Sequence, residues 1–314
     1  MTDALYRSNL PHMNGKAFLT DGGLETTLVF EDGFDLPLFA SFTLLESPEG
    51  RAAIDRYMRK FCEIAVRDRK GFVLDTPTWR ASRRWATELD ISMAKLRAMH
   101  LDAIDTLRDL RDEYQTPECP FVINGVIGPQ DDGYNPQDFM SADQSESYHS
   151  EQTEWFAEFG ADMISAVTLT YVEEAIGITR AAQEADTPVV ISFTVETDGK
   201  LPSGQTLQSA IEQVDEETGA GPAYFMINCA HPDHFAGALN GNPAWRERIM
   251  GLRANASRMS HEELDNADEL DAGDPVELGG QYADLRKLLP NLKVMGGCCG
   301  TDHRHVDAIS IACR

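Results

Sequence analysis

The sequence lacks long apolar runs. No stretch of its 314 residues approaches the roughly 18 consecutive apolar positions that a membrane-spanning helix needs. The first 16 residues also lack the apolar core of a secretion signal. Basic residues are scarce, because 27 Lys and Arg stand against 52 Asp and Glu and give a formal net charge of −25. These absences argue against a membrane or nucleic-acid partner and predict a cytoplasmic protein. The acidic segment 262–274 is predicted to be a solvated loop.

Cysteine is scarce as well. Six cysteines are scattered over the chain, which is too few for a disulfide scaffold. In a reducing compartment such cysteines bind metal, react or fill the core. Cys298 and Cys299 are neighbours in the segment "GGCCG", with no partner cysteine at CxxC spacing. Cys62 lies on the apolar face of a predicted helix and is interpreted as a core residue.

Eight short apolar runs recur along the chain, separated by longer segments with helical periodicity. Continuous apolar runs of this kind are typical of parallel strands that are buried on both faces. One of the helical segments, 47–70, begins with Ser47 as N-cap and Pro48 in the first turn. The pattern predicts an α/β fold in which residues 1–314 form a single (β/α)8 TIM barrel, and an open doubly wound sheet is the alternative. The strand candidates span 17–23, 71–76, 120–125, 162–170, 188–194, 223–229, 248–255 and 292–297.

The barrel prediction places three cysteines near one another. Cys229 ends the sixth strand candidate, and Cys298 and Cys299 end the eighth. Ends of strands six and eight lie roughly 10 Å apart, and inward-leaning loops can bring three thiolates to one Zn²⁺ ion. Three protein ligands leave an open fourth position, as in catalytic zinc sites, and a thiol bound there would be held as a thiolate. Two alternatives are a buried Cys229 with a coincidental cysteine pair, and a redox switch formed by the adjacent cysteines.

Several motifs resemble the homocysteine S-methyltransferase family. "GGCCGTDHRHVDAI" is similar to its zinc-binding C-terminal signature, "DGGLETTL" to its opening strand and loop, and "INCAHPD" to its sixth-strand segment. The third- and fifth-strand segments, "INGVIGPQDDGY" and "ISFTVETDGKLPSGQTL", are similar as well, so the match runs in order over nearly the whole chain. The resemblance implies a zinc-dependent transfer of a methyl group to homocysteine, which gives methionine.

The resemblance also implies roles for individual residues. Cys229, Cys298 and Cys299 would be the zinc ligands, and the amides of Gly22 and Gly23 would hold the amino acid's carboxylate. The partners would be a small-molecule thiol acceptor and a methyl donor, and a homo-oligomer is compatible with the sequence. Candidate substrate contacts are the strand-end residues Asp21, Gly22, Gly23, Glu25, Thr76, Val167 and Asn228.

Two positions depart from the family pattern. The fourth-strand segment of the family carries a glutamate that holds the substrate's ammonium, and this chain has Val167 there. The departure predicts weaker homocysteine binding unless another carboxylate takes over, and it keeps open a thiol- or corrinoid-binding subunit without turnover. The seventh-strand turn reads 255–257, "NAS", where the family has an Asn-Ser-Gly-like turn. Candidates to replace the missing glutamate are Asp21, Glu25, Glu173 and Glu174.

The donor is predicted to be a small sulfonium, S-methylmethionine first and S-adenosylmethionine next. A sulfonium leaves as a neutral thioether, and the corrinoid-binding pattern Asp-x-His-x-x-Gly is absent from the sequence. Trp79 could form part of a cage for a cationic donor, with Arg80, Arg83 and Arg84 holding a carboxylate. The preferred interpretation is that Trp79 and Trp85 pack the loop and the arginines offset local acidity. His303 and His305 are interpreted as helix-start residues.

Overall fold

Eight parallel strands close into a barrel in the computed structural model, which describes residues 4–240, 244–267 and 269–314. Each strand pairs with its sequence neighbours, and β8 pairs with β1 through Phe18 opposite Val294. The (β/α)8 prediction is therefore confirmed, and the open-sheet alternative is wrong. The strands are β1 Phe18–Leu19, β2 Gly71–Asp75, β3 Phe121–Ile127, β4 Met163–Leu169, β5 Val189–Phe193, β6 Tyr224–Asn228, β7 Ile249–Ala254 and β8 Val294–Gly297.

Helices follow every strand, although the unit after β6 has only short ones. The α-helices are α1 Leu24–Thr26, α2 Pro48–Arg67, α3 Arg83–Glu88, α4 Met93–Tyr114, α5 Ala142–Glu158, α6 Val172–Glu184, α7 Leu207–Thr218, α8 Pro232–Phe235, α9 His261–Asp265, α10 Pro275–Leu288 and α11 His303–Ala312. A π-helical stretch, Thr27–Glu31, continues α1. Short 3-10 turns span Pro11–Asn14, Pro37–Phe39, Ser41–Glu46, Ala236–Leu239 and Ala244–Arg248.

Helix boundaries follow the capping chemistry of the sequence. The Ser47 side chain accepts a hydrogen bond from the Gly50 amide at 2.9 Å, which confirms Ser47 as the N-cap of α2. Ser141 and Gln144 form a capping box at the start of α5. Asp302 and His305 form another at the start of α11, which confirms the interpretation of His305.

The core has two layers because alternate strand residues point to opposite faces. One cluster contains a residue from every strand and fills the barrel interior: Phe18, Val73, Val122, Met163, Val190, Tyr224, Met250 and Val294. A larger cluster joins the outer faces of the strands to the surrounding helices. The barrel wall is thus packed on both sides, which leaves the loops after the strands as the place for a site.

The acidic segment 262–274 differs from its prediction, although Asp268 lies outside the described residues. Its first residues belong to α9, where Ser260 and Glu263 form a capping box. Leu264 and Leu270 line the pocket described below. The segment therefore covers the catalytic end of the barrel as well as facing water. Among the described residues, no helix is long and apolar enough to cross a membrane.

Candidate metal centre and pocket

Three thiols meet at the carboxyl end of the barrel. Cys229 follows β6, and Cys298 and Cys299 follow β8. The Cys229 sulfur lies 2.9 Å from the Cys298 sulfur and 3.6 Å from the Cys299 sulfur, and all three lie within 4.8 Å of one another. None forms a disulfide. Within the described ranges no other group of three or more His, Cys, Asp or Glu side chains could hold a metal. An all-sulfur donor set of this kind suits Zn²⁺, and three ligands leave a position for a fourth.

The backbone of Cys229 is held in an uncommon conformation. Its φ of +57° is left-handed, which most residues avoid. Three side chains stabilise it through the Cys229 carbonyl: Asn255 Nδ2 donates at 3.0 Å, His261 Nε2 at 2.8 Å and Thr194 Oγ1 at 3.4 Å. These contacts turn the Cys229 side chain towards the two cysteines that follow β8.

Tyr134, in the loop after β3, reaches across the barrel to the thiols. Its hydroxyl lies 3.0 Å from the Cys229 sulfur and 3.2 Å from the Cys299 sulfur. The Tyr134 ring stacks on His261 with centroids 4.3 Å apart and planes 13° apart. A phenol that donates to sulfur stabilises negative charge there, so Tyr134 supports thiolate ligands. The sequence did not single out Tyr134. Its local signal was an aromatic residue directly after Gly133, in the loop that follows β3.

The Asn228 side chain, at the end of β6, joins β4 and β5 through hydrogen bonds. Its Oδ1 accepts from the Thr168 amide at 2.8 Å and from Ser192 Oγ at 2.6 Å, and its Nδ2 donates to Thr168 Oγ1 at 2.8 Å. Thr168 needs this support because its φ is +63°. Val167, the residue before it, is buried and lines the pocket. The substrate contacts of Asn228 and Val167 stay predictions.

Arg253 on β7 is a charged pocket residue that the sequence did not single out. Its guanidinium is paired with the carboxylates of Asp21 and Asp75, and it also donates to Gly22 O at 3.2 Å and to Gly297 O at 3.0 Å. Burial raises the pKa of Asp21 to about 7; Arg253 opposes this shift, and the nearby charge of Asp75 adds to it. A charged residue within an otherwise apolar strand was the signal in the sequence.

The two glycines after β1 let the first and last loops interlock. A Cβ atom on Gly22 would lie 2.7 Å from Thr301 O, and one on Gly23 would lie 2.6 Å from Cys298 O. The Gly22 amide donates to Tyr57 Oη at 3.1 Å and the Gly23 amide to Thr301 O at 2.9 Å. Both amides are thus engaged by the protein, and their predicted contact with a substrate carboxylate stays a prediction.

A cavity of about 360 Å³ opens beside the thiols. Thr76 lines it, although its hydroxyl accepts from the Val126 amide at 2.9 Å and lies 2.6 Å from Thr78 Oγ1. Arg80 lies between two tryptophans, 4.4 Å from the Trp79 ring and 3.9 Å from the Trp85 ring. Arg80 also pairs with Asp132 at 3.1 Å. These contacts agree with the preferred interpretation that the tryptophans pack the loop.

The structure separates the four candidates for the missing glutamate. Glu173 is exposed on α6. Glu174 is buried, but it accepts from the Gln130 amide at 2.7 Å and lies 3.0 Å from His149 Nε2. Neither lines the pocket, whereas Asp21 and Glu25 do.

Comparison with known proteins agrees with this site. A family model described as homocysteine S-methyltransferase matches residues 18–313. The structure is also similar to crystal structures of the Escherichia coli homocysteine methyltransferase MmuM. Its oxidized form has a TM-score of 0.73 at 16% identity, over 95% of this chain and 97% of that one. The metallated form has a TM-score of 0.70 at the same identity and coverage. Similarity at this identity shows a shared fold, whereas the family match spans almost the whole sequence. The chain therefore belongs to the homocysteine S-methyltransferase family and is a methyltransferase.

Proposed function

We propose that the protein moves a methyl group from a sulfonium donor to the thiol of homocysteine or a related thiol, with Zn²⁺ bound by Cys229, Cys298 and Cys299. The observation that carries the proposal is the three-thiol cluster at the catalytic end of the barrel, beside a cavity of about 360 Å³. Membership of the family supplies the reaction class. We further infer that residues 1–314 act as one barrel domain.

In this reaction a bound zinc ion would favour the thiolate form of the acceptor. The chain itself supplies three sulfur ligands, and the Tyr134 hydroxyl near two of them stabilises their negative charge. The acceptor's sulfur forms a new bond to the methyl carbon while the carbon–sulfur bond of the donor breaks. The electron pair stays with the donor sulfur, which leaves as a neutral thioether, and the acceptor's proton goes to solvent.

The charge of the pocket supports a cationic donor. The non-exposed carboxylates that line it are Asp21, Glu25, Asp75 and Asp132, whereas its basic residues are Arg80 and Arg253. A divalent metal with three thiolates adds one further negative charge. The pocket is therefore net negative even when Asp21 is protonated, which attracts a sulfonium and repels an anionic methyl donor.

The direct test is methyl transfer by reduced, zinc-loaded protein. Homocysteine would be incubated with S-methylmethionine, S-adenosylmethionine or betaine, and methionine would be measured by mass spectrometry. We expect methionine with a sulfonium donor and none after Cys298→Ser. A matched control is Cys62→Ser, because Cys62 is buried in α2 away from the site. Turnover only in the presence of a methylated corrinoid protein would contradict the proposed donor.

A further inference from the structure

Glu25 stands out among the acidic residues of the pocket. Of the lining residues that the structure describes, it is the one carboxylate that is neither exposed nor paired with a cation within 4.0 Å. Its Oε1 accepts from Ser41 Oγ at 2.7 Å. Burial raises the pKa of Glu25, and the Ser41 hydrogen bond acts in the opposite direction. A partly buried carboxylate without a cation is costly, so this position favours a positively charged ligand.

The other carboxylates deep in the pocket are already committed. Asp21 pairs with Arg253 and accepts from Tyr57 Oη at 3.2 Å. Asp75 shares Arg253 and accepts from Asn124 Nδ2 at 2.7 Å. A bound cation therefore competes with the Arg253 guanidinium at either residue, whereas Glu25 has no cationic side chain within 4.0 Å to compete with it.

The backbone fixes Glu25 relative to the thiols. Glu25 lies in α1, directly after the glycines that interlock with the loop carrying Cys298 and Cys299. The Gly300 amide donates to Thr26 Oγ1 at 3.2 Å, which ties the residue after Glu25 to the same loop. The negative charge of Cys298 also contributes to the raised pKa of Glu25, and both residues line the same pocket.

We propose that Glu25 binds the ammonium group of an amino-acid thiol acceptor and so determines that the acceptor carries an α-amino group. This inference rests on the proposed function, because the acceptor's sulfur must lie at the three cysteines. It gives the ammonium a partner on the first strand's loop, while the corresponding position on β4 is the apolar Val167. The acceptor class is then homocysteine-like, and thiols without the amino group are poor substrates.

The test compares homocysteine with 4-mercaptobutanoate, which is the same thiol without its amino group. Glu25→Gln keeps the shape and removes the charge. We expect kcat/KM for homocysteine to fall about 10- to 150-fold, mainly through KM, because a charge-assisted hydrogen bond is lost. The value for 4-mercaptobutanoate and the KM of the donor should change less than about threefold. Ser41→Ala is the matched control: it removes the hydrogen bond to Glu25 but keeps the carboxylate, so it should cost less.

A second variant places a carboxylate on β4, a strand that does not adjoin β1 in the barrel. Val167→Glu in the Glu25→Gln background should recover part of the homocysteine activity, whereas in the wild-type background it should bring little gain. Equal losses for both thiols, no loss, or a rise in the donor's KM alone would overturn the proposal. Calorimetric binding of homocysteine to the zinc-loaded wild type and Glu25→Gln gives the same comparison without turnover. Absence of methyl transfer by the wild type would thus refute the proposed function separately from the role of Glu25.

Discussion

Replacing Arg253 with methionine removes the guanidinium that Asp21 and Asp75 share. The Arg253 side chain is 13% exposed, and those of Asp21 and Asp75 are 3% and 7% exposed. Water therefore cannot replace the lost cation. Breaking a buried ion pair by removing one partner costs about 3–5 kcal/mol. With an unfolding entropy of about 2.1 cal/mol/K per residue over 314 residues, this corresponds to a melting temperature lower by about 5–8 °C.

The stability that Arg253→Met loses should depend on pH. The pKa of Asp21 is already raised to about 7 with Arg253 present, and removing Arg253 raises it further. A carboxyl whose folded pKa lies above its unfolded value stabilises the fold at low pH, and this contribution is lost as the pH rises through the folded pKa. The deficit of Arg253→Met should therefore be smaller at pH 5.5 than at pH 8.

Urea unfolding at pH 5.5 and pH 8, followed by circular dichroism, measures the loss of unfolding free energy and its dependence on pH. The control is Arg258→Met, because Arg258 also has two acidic partners, Asp233 and Glu277, but its side chain is 51% exposed. We expect this control to be nearly neutral. If Arg253→Met loses less than about 1 kcal/mol, or loses the same at pH 5.5 and pH 8, the buried carboxylates do not depend on Arg253.

Three further predictions concern the metal site and one helix. Cys299→Ser should lose bound zinc as measured by elemental analysis, whereas Cys62→Ser should keep about one zinc per chain; retention by both would exclude the site. Tyr134→Phe should weaken zinc affinity about 10- to 100-fold in a chelator competition, because a hydrogen bond to ligand sulfur is lost. An unchanged affinity would mean that the hydroxyl contributes nothing to the metal site. Ser47→Ala should destabilise the fold by about 1 kcal/mol in urea, through the lost N-cap of α2.

The sequence was sufficient for the barrel and for the three cysteines. Parallel strands buried on both faces leave continuous apolar runs, so all eight could be located, although β1 has only two ladder residues. The cysteines could be grouped because strand ends in a closed barrel converge on one rim. That geometry depends on strand order alone, and strand order follows the chain here.

Residues that act across the barrel could not be assigned in the same way. Tyr134 contacts thiols 95 and 165 positions away, and no local pattern encodes that reach. Arg253 was visible only as a charge in a strand, because its pairing depends on Asp21 from the loop after β1 and on Asp75 at the end of β2. His261 stands directly before the segment interpreted as a solvated loop. Its stacking with Tyr134 and its hydrogen bond to Cys229 O are tertiary contacts that the local sequence does not show.

The closure of the ring by β8 sets an order of events during synthesis. The ribosome makes the chain from its amino end, so β1 waits with one unpaired edge until Val294 and Met295 arrive beside it. Two of the three clustered cysteines, Cys298 and Cys299, arrive only a few residues later. A nascent chain thus holds Cys229 alone for 68 residues and cannot assemble the three-cysteine site. Assembly of the three-cysteine site is consequently coupled to the same event that removes the exposed strand edge.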